Sequence, residues 1–273
     1  MGNARNSTVF LGGGRITGAL VAGLRLANYD QPIIVHDRNP GKLRRLNKQY
    51  AVAGEPNLGR AVEQAGLLIV AVRPDSVRLL LEEIGKLELK RRNRPLSAVS
   101  LAAGLPISKL RALLGPALQW ARAMPSPVCR TTRGLTALSF ERTFSRKGRR
   151  EIRNLFQQVG SVLEIPESQF DAFTVTFSSS HGYHALATLA ASAQRLGLNR
   201  QTALTAAAHA LADGILYWRE SKIPLDRLLN EAATPGGIAA TTLNALDSSG
   251  YERIIKEGLR AGTARARRNA RQI

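Results

Sequence analysis

The sequence predicts a doubly wound α/β domain over residues 1–166 and an all-α domain over residues 167–273. Before residue 166, continuous apolar runs alternate with segments of helical periodicity, which is typical of parallel strands buried on both faces and joined by helices. After Glu164-Ile165-Pro166 almost no strand-like run remains. Segments rich in Ala and Leu at helical spacing, such as 185–196 and 201–217, replace it. The domain boundary is placed at this change.

The first half opens with a complete βαβ unit. Thr8–Leu11 is a β-prone run that ends at three glycines, and apolar residues from 16 to 26 then recur at helical spacing. A second apolar run at 33–35 precedes a helix expected over 41–49. The later elements expected in this half are strands at 67–72 and 98–101, among helices near 57–65, 75–87 and 106–114.

Charge and cysteine content exclude several classes of protein. The 273 residues carry 39 Lys and Arg against 20 Asp and Glu, for a net charge of +19, concentrated at 86–94, 142–153 and 260–271. Aromatic residues do not interleave with these basic runs in the way that a platform for stacking single-stranded bases requires. We therefore interpret the runs as a surface that attracts anionic ligands, and nucleic acid is not the expected partner. One cysteine excludes a disulfide scaffold, and no Cys and His cluster has zinc-finger spacing.

The N-terminal sequence and the hydropathy pattern predict a soluble cytoplasmic protein with no membrane partner. The opening MGNARNSTVF lacks the charged and apolar regions of a secretory signal, and no apolar run approaches the ~20 residues that span a bilayer.

A glycine motif lies between the first strand and the first helix. Gly12-x-Gly14-x-x-Thr17 occupies the position of a dinucleotide fingerprint, in which the first glycine allows a tight turn and the second lets the backbone approach a pyrophosphate. Asp37, 23 residues after Gly14, is placed to accept a ribose hydroxyl. Arg38 would stack on adenine or hold a 2′-phosphate. The alternative is a glycine turn that serves packing alone.

Three further segments follow predicted strands and are expected as loops that wall a cofactor crevice, because ligands of open α/β sheets bind at the carboxyl ends of strands. These segments are Val72-Arg73-Pro74, Ala102-Ala103-Gly104 and 122–127. Each would equally suit an ordinary turn at a strand end.

Seven segments, in order along nearly the whole chain, resemble pyrroline-5-carboxylate reductase: VFLGGGRITGAL, VHDRNP, AVRPDSV, VSLAAG, RAMPSPV, LFQQVGSVLEIPESQFDAFT and TPGG at 234–237. The resemblance implies a Rossmann-type domain, a C-terminal helical domain that forms an interlocked homodimer or a higher homo-oligomer, and NAD(P)H-dependent reduction of a small cyclic imino acid to proline. We expect NADP as the cofactor, with NAD as the alternative, since Arg38 attracts a 2′-phosphate and Asp37 repels it.

The fingerprint and the resemblance together give the candidate binding residues. Those expected to bind the cofactor are Gly12, Gly13, Gly14, Arg15, Ile16, Asp37, Arg38, Val72, Arg73, Pro74, Ala102, Ala103 and Gly104. Those expected to bind the substrate are Ser179, Tyr183, Thr234, Pro235, Gly236 and Gly237.

The chain departs from the family pattern where the substrate is handled. The family's Met-Pro-Asn-Thr-Pro is Met-Pro-Ser-Pro here, and of Ser-Gly-Ser-Gly-Pro-Ala-Tyr only one serine and Tyr183 remain. The family's Pro-Gly-Gly-Thr-Thr aligns with residues 235–239, so that Ala239 replaces the threonine thought to help protonate the imine nitrogen. Thr241 and Thr242 follow one helical turn later.

His181 and His184 are the candidate catalytic residues. Their i, i+3 spacing places both on one helix face, where an imidazole would serve as the general acid that replaces the threonine. The alternatives are surface histidines or two metal ligands, and no third ligand is evident, so no metal is predicted. His209 beside Asp213, and Cys129, are expected to be structural.

Two other functions remain open at this point. One is a divergent dehydrogenase or reductase of the same architecture that acts on another imine or on a keto acid. The other is a protein without catalysis that binds a cofactor or nucleic acid.

Overall fold

A computed structural model describes residues 7–87 and 95–271, which form two compact units. The sheet unit contains the residues up to 177 together with those from 262 on, and the helical unit contains residues 178–261. Most of the basic stretch at 86–94 and the first six residues lie outside the described residues. Within the described ranges, no helix is both long enough and apolar enough to cross a membrane.

The sheet unit is built on one eight-stranded sheet with the strand order β3-β2-β1-β4-β5-β6-β7-β8. The strands are β1 (Ser7–Leu11), β2 (Ile33–His36), β3 (Ala53–Gly54), β4 (Ala65–Val70), β5 (Leu96–Ser100), β6 (Leu118–Pro125), β7 (Gly134–Phe140) and β8 (Gly160–Glu164). All neighbours pair in parallel except β6 and β7, which are antiparallel. The predicted doubly wound architecture is confirmed.

Helices cover both faces of this sheet. They are α1 (Arg15–Leu26), α2 (Pro40–Tyr50), α3 (Leu58–Glu63), α4 (Pro74–Gly85), α5 (Ile107–Leu114), α6 (Arg146–Gln157) and α7 (Glu167–Thr176). Side chains of Asn39, Asn57 and Ser145 cap α2, α3 and α6 by accepting N–H groups of the first turn. Both faces of the inner strands are buried, since Val9 and Leu11 pack in one hydrophobic cluster and Phe10 in the other.

The sheet extends further than the sequence indicates. Strands β3, β6, β7 and β8 and helix α6 were not predicted. The expected loop at 122–127 is wrong for most of its length, because residues 122–125 belong to β6. The remaining two residues of that segment are Ser126 and Pro127, and a 3₁₀ turn (Pro127–Thr131) starts at the second of them. The antiparallel β6–β7 pairing reverses the direction of the chain. The carboxyl ends of β7 and β8 therefore lie on the opposite side of the sheet from those of β1, β2, β4 and β5.

The helical unit contains α8 (Ser179–Arg195), α9 (Arg200–Ser221), α10 (Leu225–Ala232), α11 (Ile238–Ser248) and the start of α12 (Tyr251–Arg271). The predicted absence of strands after residue 167 holds for the described residues to 271. Within residues 178–261, the only hydrophobic cluster of the helical unit joins α8 and α9 through Ala190, Ala203 and Ala207. No residue of α10 or α11 is buried. The domain boundary at 166/167 stays a prediction, and α7 packs on β7 within the sheet unit.

Candidate cofactor and substrate sites

The glycine turn after β1 has the geometry that the fingerprint requires. Gly12 has a φ of +111°, and a Cβ added there would lie 2.8 Å from the carbonyl oxygen of Ala71, so only glycine fits without strain. Gly14 is different, because its φ is −78° and an added Cβ would meet no atom within 4 Å. Gly14 therefore faces open space at the start of α1.

Thr17 stabilises this turn from the position where the fingerprint usually has its third glycine. The residue is fully buried, and its hydroxyl donates a hydrogen bond of 2.5 Å to the carbonyl oxygen of Gly12. A buried polar group satisfied in this way holds the turn in one conformation. The sequence contained this signal, since a hydroxyl one helical turn after the glycines is placed to cap them, but no role was predicted for Thr17.

Asp37 is tied to the same turn. One carboxylate oxygen accepts hydrogen bonds from the Gly13 N–H at 2.8 Å and from the Lys42 ammonium at 3.0 Å, and the other accepts the Asn39 N–H at 2.8 Å. Partial burial by itself would raise the pKa of the Asp37 carboxyl, but the two N–H donors and Lys42 outweigh it and lower that pKa below its usual value. Asp37 is therefore a carboxylate at neutral pH.

Arg38 and Arg73 lie more exposed around this turn. The Arg38 guanidinium donates a 2.5 Å hydrogen bond to a carboxylate oxygen of Glu83 on α4, although 64% of the Arg38 side chain remains exposed. Arg73 precedes α4 and is 3.7 Å from the Asp75 carboxylate. Both guanidinium groups keep donors that a bound phosphate would reach from solvent.

The loop after β5 packs against the end of the chain. Gly104 has a φ of +76°, and an added Cβ would lie 2.4 Å from the carbonyl oxygen of Ala266 in α12. Asn269, also in α12, donates its side-chain amide to the carbonyl oxygen of Ala103 at 3.2 Å. No sequence signal indicated this role of Asn269, because 166 residues separate the two partners.

The strand order brings the candidate cofactor residues to one edge of the sheet. Strands β2, β1, β4 and β5 are adjacent and parallel, and their carboxyl ends lead into the residues 12–16, 37–38, 72–74 and 102–104. No side chain caps the N-terminus of α1 and no acidic residue lies in its first turn, so its N–H groups face the open space at Gly14. The residues at this edge fit the pyrophosphate of a dinucleotide.

The candidate substrate residues lie in two places of the helical unit. Ser179, His181, Tyr183 and His184 are in the first two turns of α8, where the Ser178 hydroxyl caps the helix and 67% of Tyr183 is exposed. Residues 234–237 form a turn closed by the Gly237 N–H and the Thr234 carbonyl at 2.9 Å.

The turn at 234–237 leads into α11, whose N-cap Gly237 provides no side-chain hydrogen bond. The first N–H groups of α11 therefore remain available to an anion. The hydroxyls of Thr241 and Thr242 donate to the carbonyl oxygens four residues before them, at 3.0 and 2.9 Å. Both threonine hydroxyl protons are therefore used within α11.

Cys129, the His209–Asp213 pair and the possible metal ligands are considered next. Cys129 is buried under α1, and burial raises the pKa of its thiol to about 12, so it is no nucleophile at neutral pH. His209 and Asp213 form an exposed pair at 2.9 Å on α9. Within 7–87 and 95–271, no three His, Cys, Asp or Glu side chains form a group that could hold a metal.

Arg122 is the buried charge that the sequence did not reveal. It is 1% exposed in the middle of β6, and its guanidinium lies 2.9 Å from Asp171, 3.5 Å from Glu167 and 4.2 Å from the ring centre of Phe170, all in α7. Glu167 also accepts the N–H of Ile107 at the start of α5. This network connects β6, α5 and α7 and has no place in the candidate chemistry.

An open α/β sheet with a glycine turn before its first helix defines the class of dinucleotide-dependent oxidoreductases. Comparison with known families agrees. Residues 7–103 match a family described as NADP oxidoreductase, coenzyme F420-dependent, and residues 167–269 match one described as pyrroline-5-carboxylate reductase dimerisation. These matches support a nicotinamide cofactor.

Individual relatives point the same way. A pyrroline-5-carboxylate reductase of Mycobacterium tuberculosis is 28% identical over 94% of each chain. Solved reductase structures from Plasmodium falciparum and Coxiella burnetii superpose with TM-scores of 0.85 and 0.84 at 19% and 24% identity, covering 98% of this chain and 100% and 99% of theirs. Over nearly its whole length the chain is similar to pyrroline-5-carboxylate reductases, as the sequence motifs predict, and it is an NAD(P)H-dependent oxidoreductase.

Proposed function

We propose that this chain reduces the C=N bond of pyrroline-5-carboxylate to give proline, with NADPH as the preferred hydride donor. The curated relatives carry the name of this activity, and the Plasmodium falciparum structure contains NADP. The observation that carries the proposal is the edge of the sheet where open space at Gly14 meets the N-terminus of α1.

The sheet unit holds the cofactor in this proposal. The N–H groups at 14–16 bind the pyrophosphate, Arg38 approaches the 2′-phosphate, and residues 72–74 and 102–104 line the path toward the nicotinamide. When bound, NADPH supplies the hydride that adds to the imine carbon. The protein contributes orientation, because a fixed geometry replaces a collision between two free molecules.

The helical unit handles the substrate in this proposal. The carboxylate of the imino acid binds the N–H groups at the start of α11, where the turn at 234–237 and the absence of a side-chain cap leave them available. Tyr183 and Ser179 contribute polar contacts. Ala239 has no hydroxyl, and Thr241 and Thr242 donate to their own helix, so the proton for the imine nitrogen comes from another group.

His181 or His184 is that group in our proposal. Hydride addition to an imine develops negative charge on the nitrogen, and a positioned acid accelerates such a step by ~10²–10⁴-fold. Imidazole titrates near neutral pH and occurs twice on one face at the start of α8, in the segment that aligns with the family's substrate loop.

The helical unit also forms a homodimer in this proposal. Ile215, Leu216, Tyr217 and Trp218 are consecutive on α9, and each is 44–57% exposed. Four consecutive residues point to all sides of a helix, and a helix that is apolar on every side is normally covered. The match of residues 167–269 to a dimerisation family supports a second copy as that cover. The cytoplasmic location that the sequence predicts belongs to this proposal as well.

Steady-state kinetics with pyrroline-5-carboxylate and each cofactor test the proposal. We expect turnover with NADPH. One of the variants His181→Asn and His184→Asn removes the acting histidine, and in that variant kcat should fall by ~10²–10⁴-fold. Dinucleotide affinity should remain unchanged, because neither histidine belongs to the proposed cofactor site.

His209→Asn is the matched control, since this histidine pairs with Asp213 on the neighbouring helix α9 and has no role in the proposal. Normal turnover in both other histidine variants would assign the proton to a different group. If the wild-type chain reduces pyrroline-5-carboxylate no faster than the buffer control with either cofactor, the proline-forming activity is wrong.

A second candidate is the reduction of a different imine or a keto acid. Ile238 and Ala239 favour it, because they present apolar side chains where the family has two threonines, and 89% of Ile238 is exposed at the start of α11. A panel of cyclic imines and keto acids assayed with NADPH separates the two candidates by kcat/KM.

A further inference from the structure

The acidic residue that ends β2 usually decides which nicotinamide dinucleotide a doubly wound domain prefers. A carboxylate there accepts the ribose hydroxyls of NAD and repels the 2′-phosphate of NADP. Asp37 holds this position, yet its two oxygens already accept the N–H groups of Gly13 and Asn39. These bonds give Asp37 a local task, which is to fix the glycine turn against the start of α2.

Lys42 compensates the charge of Asp37. It lies in the first turn of α2, and its ammonium donates to the Asp37 oxygen that also accepts the Gly13 N–H. The Lys42 side chain is 42% exposed and that of Asp37 only 11%, so Lys42 lies on the solvent side of the pair. A ligand that approaches the end of β2 meets a neutral pair rather than a bare carboxylate.

The neighbouring pair has the same arrangement. Arg38 is the more exposed partner of Glu83, at 64% against 36%, and it uses one terminal nitrogen for the 2.5 Å contact. The remaining guanidinium donors are free to take a phosphate without breaking that contact. The end of β2 therefore carries two compensated ion pairs with both cations toward solvent.

We propose that Lys42 determines cofactor specificity in this chain: it neutralises Asp37 and thereby admits a dinucleotide with a 2′-phosphate. The inference rests on the proposed use of a nicotinamide dinucleotide at this edge of the sheet. Asp37 positions the glycine turn. Without Lys42, its carboxylate would also favour NADH over NADPH, and Lys42 prevents this by neutralising the carboxylate.

Lys42→Gln tests this inference by direct titration of NADPH and NADH, followed by protein fluorescence without turnover. We expect NADPH affinity to fall by about 10- to 100-fold, because the uncompensated Asp37 carboxylate then repels the 2′-phosphate, and NADH affinity to change less than about threefold. Lys42→Arg keeps the charge and should keep the preference.

Two further variants make the test specific. Lys48→Gln removes an exposed cation from the last turn of the same helix and should leave both affinities unchanged. In an Asp37→Asn background there is no carboxylate to neutralise, while the side-chain oxygen still accepts one N–H group. Lys42→Gln should then change the NADPH affinity by less than about threefold if Lys42 acts through Asp37.

The outcomes separate this inference from the function on which it rests. Equal losses of NADPH and NADH affinity in Lys42→Gln would overturn the role of Lys42 and leave the proposed function standing. A full loss of NADPH affinity that persists in the Asp37→Asn background would do the same. If the wild-type protein binds neither dinucleotide, the proposed function falls and the inference falls with it. Thermal melting of each variant confirms that the fold is intact.

Discussion

The sheet unit and the helical unit bury their apolar residues in different ways. In the sheet unit, strands such as β1 are buried on both faces, and its exposed large apolar residues are scattered. In the helical unit, the one cluster is small and α9 exposes apolar side chains all around its C-terminal half. The proposed cofactor site can therefore be complete within one chain, whereas the proposed substrate residues lie in a region whose apolar surface needs a further cover.

The largest expected effect separates ligand binding from folding in the sheet unit. Gly14→Val places a side chain in the open space before α1, where no protein atom lies within 4 Å, so the melting temperature should stay unchanged. NADPH affinity should fall ~10³-fold, because the pyrophosphate loses two or more contacts worth ~1.5–3 kcal/mol each. Calorimetric titration with NADPH measures the loss.

Gly12→Val provides the contrast, because its side chain would collide with the Ala71 carbonyl and should lower the melting temperature. A Gly14→Val protein that binds NADPH normally would show that the pyrophosphate binds elsewhere.

The next effect tests whether the sheet unit depends on its buried charge network. Arg122→Met keeps most of the volume but leaves Glu167 and Asp171 without their cation, so we expect a loss of about 3 kcal/mol in the free energy of unfolding. Urea denaturation measures it. The control Arg146→Met removes an exposed arginine from α6 and should change stability by less than about 0.5 kcal/mol. Equal stability of the two variants would contradict the structural role of Arg122.

A smaller effect concerns the exposed face of the helical unit. Trp218→Ser should weaken the proposed dimer by about 30-fold, the loss typical of one aromatic residue at the centre of an interface, and leave NADPH affinity unchanged. Sedimentation at micromolar concentration shows the shift from dimer to monomer. A compact wild-type monomer under these conditions would refute the proposed assembly.

The smallest expected effect concerns the reactivity of Cys129. In the folded protein its thiol should not react with iodoacetamide at pH 8, and in urea it should react fully. The unfolded thiol ionises near pH 9.0, while the folded one has a pKa of about 12, so the unfolded state binds fewer protons between these values. Stability therefore falls as the pH rises above about 9. Rapid alkylation of the native protein at pH 8 would show that the thiol is accessible.

Local signals allowed strand β1 and the glycine turn after it to be predicted, and long-range contacts limited the prediction of other parts of the sheet. The run Thr8–Leu11 ending at glycine indicates a buried strand and a turn without any other part of the chain. Strand β6 was missed because Gln119 and Arg122 give it the appearance of a surface segment, although α7 supplies the partners of Arg122. The Asn269 contact to Ala103 has no local signature at all.

The candidate substrate residues show a different limit. Motif alignment located the missing threonine at Ala239, but the sequence alone left open whether Thr241 or Thr242 compensates. In the structure both hydroxyls donate to carbonyl oxygens of their own helix, and these bonds could not be predicted locally, because a side chain at i reaches the carbonyl at i−4 only once the helix is formed.

The sheet unit is discontinuous in sequence, because α12 returns after residue 261 to lie against Gly104. During synthesis from the N-terminus, the ribosome releases residues 7–177 long before the segment that covers the loop after β5. The sheet can form early from contacts between strands close in sequence, whereas the last stage of its folding waits until the segment after residue 261 has emerged. A nascent chain halted before residue 262 would therefore carry a folded sheet whose Ala103 carbonyl still lacks its Asn269 donor.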